Sequence, residues 1–218
     1  MLTTRRGLLL GAASLLLAGC ATDDDTQTLA IEPVATAYGP LLDEPYPVPA
    51  VDLKKLKPRY RRQRVEYQSV EPAGTIIVDT PNRYLYLITG NGEAMRYGVG
   101  IGRDGFRWAG RARIQYKRAW PKWTPPGEMI DRQPELEKFR NGQDPGLDNP
   151  LGARALYIFK DGQDTFYRLH GTADAASIGR AVSSGCVRLV NQDVIDLYDR
   201  VENGAPIIVL QQDGDGAA

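Results

Sequence analysis

Between Thr75 and Leu210 the apolar residues come in short runs cut by glycine, proline and asparagine, and one stretch alone keeps helical spacing. The segments Thr75 to Val78, Arg83 to Ile88, Ala94 to Val99, Arg111 to Trp120, Ala155 to Phe159, Asp164 to His170 and Ile207 to Leu210 read as strands. Each is either alternating or a brief apolar run bounded by turn residues. Gly90-Asn91-Gly92 can supply the positive φ of a hairpin turn. The helix is carried by Val194, Ile195, Leu197, Tyr198 and Val201, over about residues 192–202. Asn191 is placed to cap it, Asp193 suits its first turn, and Gly204 follows its end. This pattern predicts a mainly-β sandwich with one clear α-helix. Gly98, Gly100, Gly102 and Gly105 have no helix after them, so they read as bends and close backbone approaches and not as a phosphate loop.

The long segment between the strands at Arg111 and Ala155 is the other organising feature. It begins with Trp120-Pro121-Lys122-Trp123, passes through a polar stretch at Glu128 to Glu135 that suits a short helix, and ends in the glycine- and proline-rich loop Asn141 to Gly152. A loop of this length inside a small domain is more often functional than idle, so a lid-like loop is expected here. Trp120 reads as a filler of the core edge, and Trp123 as an aromatic that contributes to substrate binding.

The amino-terminal part has a different character. Arg5 and Arg6 precede an apolar run from Leu8 to Ala18, too short to span a bilayer as a helix, and Leu17-Ala18-Gly19-Cys20 fits a lipobox. Residues 1–19 are therefore expected to be a signal peptide, exported by the twin-arginine or the general secretory route, with Cys20 lipidated and the protein held in the periplasm. Ala21 after the cysteine favours the outer membrane. Residues 20–51, rich in Asp, Thr and Pro, read as a disordered tether; 52–73, with its cluster of Lys and Arg, as a basic arm; 74–211 as the folded domain; and 212–218 as a tail. Across the whole chain 27 basic residues balance 27 acidic ones. Nothing in that balance supports a nucleic-acid partner.

Once Cys20 carries lipid, Cys186 is the one thiol left, and His170 is the one histidine of the chain. A lone thiol in an oxidising compartment is a liability unless it is used, and it needs a base or a cation nearby to react as a thiolate. This predicts Cys186 as nucleophile and His170 as general base and acid. The backbone amides of Gly185 and Cys186 are candidates for an oxyanion hole. The Gly171 carbonyl or the Thr172 hydroxyl would hold the imidazole tautomer. Arg188, two residues past the thiol, would either bind a substrate carboxylate or pair with Asp193 or Asp196. Ser183 and Ser184 could add hydroxyl contacts to substrate. With one histidine and one free cysteine, no metal and no cofactor is implied.

The motifs His170-Gly171-Thr172, Ser177-Ile178-Gly179, Ser183-Ser184-Gly185-Cys186-Val187-Arg188 and Asn191-Gln192-Asp193 together resemble the L,D-transpeptidase (YkuD) catalytic domain of bacterial cell walls, over roughly Gly74 to Leu210. Ser184 stands where many members carry a second histidine. The resemblance implies a β-sandwich. It also implies acylation of the cysteine by a tetrapeptide stem of peptidoglycan with loss of D-alanine, followed by transfer to a second stem in a 3→3 cross-link. A lysine of an outer-membrane protein, a free D-amino acid or water, the last giving carboxypeptidase activity, would be alternative acceptors. A wall-binding lipoprotein without catalysis is the alternative of another class.

Overall fold

The computed structural model describes residues 34–102, 109–183 and 186–211. Within them the strands are β1 (Gln63–Glu66), β2 (Ile76–Asp79), β3 (Tyr84–Gly90), β4 (Glu93–Gly98), β5 (Ile101–Gly102), β6 (Gly110–Ala119), β7 (Arg154–Lys160), β8 (Gln163–Thr172), β9 (Ala181–Ser183), β10 (Val187–Val190) and β11 (Pro206–Leu210). The helices are α1 (Val34–Ala37), α2 (Gly127–Arg132) and α3 (Asn191–Arg200). The mainly-β expectation holds. Its layers come from one continuous sheet of nine strands in the order β1-β4-β3-β2-β11-β6-β7-β8-β10, accompanied by a small β5-β9 pair.

Strands far apart in that order share a single core. Tyr97 on β4, Ile76 and Val78 on β2, Leu156 and Ile158 on β7, Leu169 on β8 and Val187 and Leu189 on β10 all pack with Val194, Leu197 and Val201 of α3. The sheet therefore wraps round the apolar face of α3, whose burial drives the closure. The chain leaving β4 protects the outer edge of β10: Gly100 and Arg188 exchange two backbone hydrogen bonds of 2.9 Å. A Cβ on Gly100 would lie 2.7 Å from the Ser177 carbonyl, so this approach requires glycine. The β3–β4 turn has positive φ at Gly90, Asn91 and Gly92, as its sequence requires.

The expected capping of α3 is corrected. Val190 is the N-cap and no side chain caps the helix. Asn191 is instead the first helical residue, and its Oδ1 accepts a hydrogen bond of 3.0 Å from the Ala153 amide, because the chain re-entering the sheet at β7 brings an unsatisfied N–H there.

A second correction concerns residues 34–51, expected within the disordered tether. Tyr38 and Val48 are buried, and Leu41 and Val48 exchange backbone hydrogen bonds of 2.9 Å. Glu44 pairs with Arg154 at 2.6 Å and accepts from the Trp120 indole at 2.8 Å. Gln192 donates to the carbonyls of Gly39 and Pro49 at 3.1 and 2.8 Å. Prolines abolish periodicity here but stiffen an extended backbone, which lets isolated side chains fill slots on a domain formed elsewhere. The basic arm is likewise built in: Leu56 and Tyr60 are buried, and β1 extends the sheet beside β4. The expected signal peptide (residues 1–19), Cys20 and the rest of residues 20–33, and the expected tail 212–218 lie outside the described residues.

Candidate active site

The site is built by the parallel pairing of β10 with β8, which sets Val187 opposite Leu169, Arg188 opposite His170 and Leu189 opposite Gly171. Val187, Leu189 and Leu169 are fully buried in the core. Side chains alternate along a strand, so Arg188 and His170 project from the other face, and the Arg188 charge acts on the thiol of Cys186, two residues before it. Cys186 is partly exposed, and its sulfur lies 3.9 Å from the Phe166 carbonyl oxygen. Phe166 itself has φ of 61° at an irregularity of the β7–β8 pairing, with its ring exposed. The imidazole thus stands on β8 opposite Arg188, and the thiol immediately precedes the neighbouring strand β10.

His170 is 5% exposed, and its Nδ1 stands 2.9 Å from the Gly171 carbonyl oxygen. That contact assigns the proton to Nδ1 and leaves the lone pair on Nε2. The Thr172 hydroxyl oxygen accepts from the Asp174 amide at 3.1 Å. Burial lowers the imidazole pKa to about 4, with the Gly171 and Pro150 carbonyls acting in the opposite sense and the Arg188 charge adding to the lowering. Burial also pushes the Cys186 thiol up, against a backbone hydrogen bond from Arg168 and the charges of Arg168 and Arg188. The thiol and the imidazole therefore both rest neutral.

The end of the long loop is fastened to the histidine strand. The Gly171 amide donates to the Leu151 carbonyl at 3.0 Å. A Cβ on Gly171 would lie 2.3 Å from Asn191 Oδ1, and one on Gly152 2.5 Å from the same atom. Inside the loop the Asn149 amide donates to the carbonyls of Pro121, Gln143 and Asp144 at 3.1–3.2 Å. Trp123, expected to contribute to substrate binding, packs edge-on against Phe139 within the loop, with ring centroids 6.1 Å apart. Trp120 is buried, as expected, and stacks at a tilt on Tyr46.

Both partners expected for Arg188 are engaged elsewhere. Asp193 is bound by the Tyr38 hydroxyl at 3.2 Å and faces Arg62. Asp196 is held by Arg62, Arg200 and the Tyr97 hydroxyl at 3.0, 2.9 and 2.6 Å. Arg188 is half-buried, its nearest acidic influence is Asp174, and among the described residues its guanidinium makes no hydrogen bond or ion pair. Ser183 ends β9, where it is paired with Gly102. Ser184 and Gly185, the latter with an expected oxyanion donor, lie outside the described residues. Sequence reading missed Arg168, although its place two residues before His170 puts it on the same strand face by simple alternation. Pro150 had no such signal, since only folding brings its carbonyl to the imidazole.

Fold and site together define a mainly-β domain that carries a thiol and an imidazole on neighbouring parallel strands. The chain belongs to the YkuD family: the L,D-transpeptidase catalytic domain matches residues 73–209. It is 32% identical over 150 residues to the probable L,D-transpeptidase YbiS of Escherichia coli K12, covering 64% of this chain and 45% of that protein. The probable L,D-transpeptidase YcfS of the same organism is 31% identical over 153 residues, 64% of this chain and 47% of its own. The chain thus spans about half the length of these relatives. Among solved structures, a Brucella melitensis protein described as a probable carnitine operon oxidoreductase, caia, superposes with a TM-score of 0.51 at 43% identity, covering 73% of this chain and 99% of that one.

Proposed function

We propose that this protein is a peptidoglycan L,D-transpeptidase in which Cys186 is acylated by a tetrapeptide stem and the acyl group passes to an amine. The observation that supports this reading is the β8–β10 register, which sets Arg188 opposite His170 and two residues after Cys186, on whose thiol the Arg188 charge acts. His170 Nε2 takes the thiol proton as sulfur attacks the carbonyl of the stem's third residue, a diamino acid. The C–N bond to D-alanine breaks, and the departing amine takes the proton from the imidazolium. A second amine then attacks the thioester and yields its proton to Nε2. The C–S bond breaks, and the proton returns to sulfur. Arg188 would hold a stem carboxylate bidentately during these steps. The neutral resting pair suits this cycle, because the proton moves only when substrate is present to be attacked.

The side-chain amine of a second stem is the acceptor favoured here, giving a 3→3 cross-link. A lysine of an outer-membrane protein or water would be served by the same thioester. The lipobox supports a periplasmic protein anchored through Cys20, which metabolic labelling with palmitate and loss of label in Cys20→Ala would check. The activity is tested by incubating the protein with tetrapeptide muropeptides. D-alanine and cross-linked dimers should appear, and both should vanish in Cys186→Ala and His170→Ala. Turnover persisting in the cysteine variant would overturn the mechanism, as would an unmodified mass after exposure to a carbapenem.

A further inference from the structure

The sheet register builds a second cationic feature on the catalytic face. Arg118 of β6 is opposite Ala155 of β7, Ala155 is opposite His170, and His170 is opposite Arg188. One transverse row therefore runs Arg118, Ala155, His170, Arg188, and residues directly opposite one another share a face. Neighbouring strands are about 4.8 Å apart, which puts the Arg118 backbone about 10 Å from that of the base, on the side away from Arg188. Ala155, between them in the row, is fully buried.

Arg118 is exposed, and its guanidinium lies over the Tyr116 ring at 5.4 Å; among the described residues it makes no hydrogen bond or ion pair. A cavity of about 460 Å³ opens beside it, lined also by Trp120, Lys122 and Tyr157, with no carboxylate in its wall. Lys117 at the rim already donates to the carbonyls of Tyr198 and Val201 at the end of α3, and Lys122 is 3.7 Å from Asp144. Arg118 is thus the lining cation whose charge is left for a ligand. An acyl transfer brings two substrates to one imidazole, and this row carries on each flank of it a guanidinium that, among the described residues, makes no hydrogen bond or ion pair.

We infer that Arg118 anchors a carboxylate of the amine acceptor, so that acceptors with a carboxylate remote from the reacting amine are preferred. The inference rests on the transferase reading above. It adds no step to that chemistry: the acceptor nitrogen loses its proton to His170, bonds to the thioester carbon and displaces the Cys186 sulfur.

The test compares ε-aminocaproate with its neutral carboxamide as acceptors of the acyl group from a tetrapeptide donor. Wild-type protein should favour the carboxylate by about tenfold, the size of a charge-assisted hydrogen-bonded contact. Arg118→Ala should bring the ratio to about one, and Arg118→Lys should keep part of it. An unchanged ratio in Arg118→Ala, or no preference in the wild type, overturns the inference. Should no acyl-enzyme form at all, the transferase reading fails separately. Direct binding of the two probes to Cys186→Ala protein then decides the anchor: a preference for the carboxylate that Arg118→Ala removes upholds it, and equal binding overturns it.

Discussion

At Cys186 burial outweighs two nearby guanidinium charges, and at His170 it outweighs two carbonyl acceptors. Both groups consequently rest uncharged at neutral pH, unlike a cysteine stored as a thiolate–imidazolium pair. Alkylation of Cys186 by iodoacetamide should therefore rise with pH around a midpoint above the ordinary cysteine range; a midpoint below neutrality would show a preformed ion pair. The imidazole should titrate near pH 4 by NMR in the free protein, and kcat/KM should keep its basic form down to that pH. A ring titrating near the ordinary histidine value of about 6.5 would mean that water reaches His170. The two residue types were legible in the sequence, since a chain with one histidine and, apart from Cys20, one thiol leaves little choice. Their protonation was not, because it depends on the burial of both groups, which only the folded chain produces.

The element that fixes the imidazole is the end of β8, and its geometry depends on a crossing of three residues. Gly171 and Gly152 leave room for the Asn191 side chain, whose Oδ1 satisfies the Ala153 amide. Asn191→Ala should strand that buried amide at a cost of about 1–3 kcal/mol, measured by urea unfolding, and should speed hydrogen exchange at Ala153. Stability within error of wild type would show that water replaces the side chain. Gly171→Ala should do more damage, since its Cβ meets Asn191 Oδ1 and lies 3.1 Å from the Ala153 nitrogen. Most strands here could be read from alternation, including β8 with His170 near its end. β10 could not: Val187 to Val190 is short, follows a glycine–cysteine pair, and owes its position to a parallel partner whose register no local pattern encodes. Asn191 was read as a cap because its type and place fit one, and tertiary demand from β7 claimed its oxygen instead.

Across the whole molecule, the amino-terminal arm is joined to the helix behind the site through buried charge. Asp193 on α3 is 1% exposed, accepts from Tyr38 of the arm and faces Arg62 of the arm at 4.0 Å. Arg62 lies closer to Asp196, at 3.0 Å, and burial raises the Asp193 pKa to about 7 despite Arg62 and the Tyr38 hydrogen bond, with Asp196 adding to the rise. The folded protein thus holds a proton on Asp193 that the unfolded chain releases near pH 4, so this residue's contribution to stability falls as pH rises from about 4 to about 7. His170 acts in the opposite sense. The unfolded chain protonates it below about pH 6.5 and the folded protein only near 4, so its contribution rises with pH between those values. Asp196 is held low by Arg200, Tyr97 and Arg62 despite its burial, and its effect falls below about pH 4, outside this window. The two slopes oppose each other in the wild type, and single substitutions should separate them. Urea midpoints of Asp193→Asn should climb between about pH 4 and 6.5, and those of His170→Gln should decline steadily from about pH 4 to 7. Equal, flat profiles in both variants would mean that neither group is sealed from water, and that the arm does not exclude solvent from α3 as its packing of Tyr38, Leu56 and Tyr60 against Ile178 and Val190 requires.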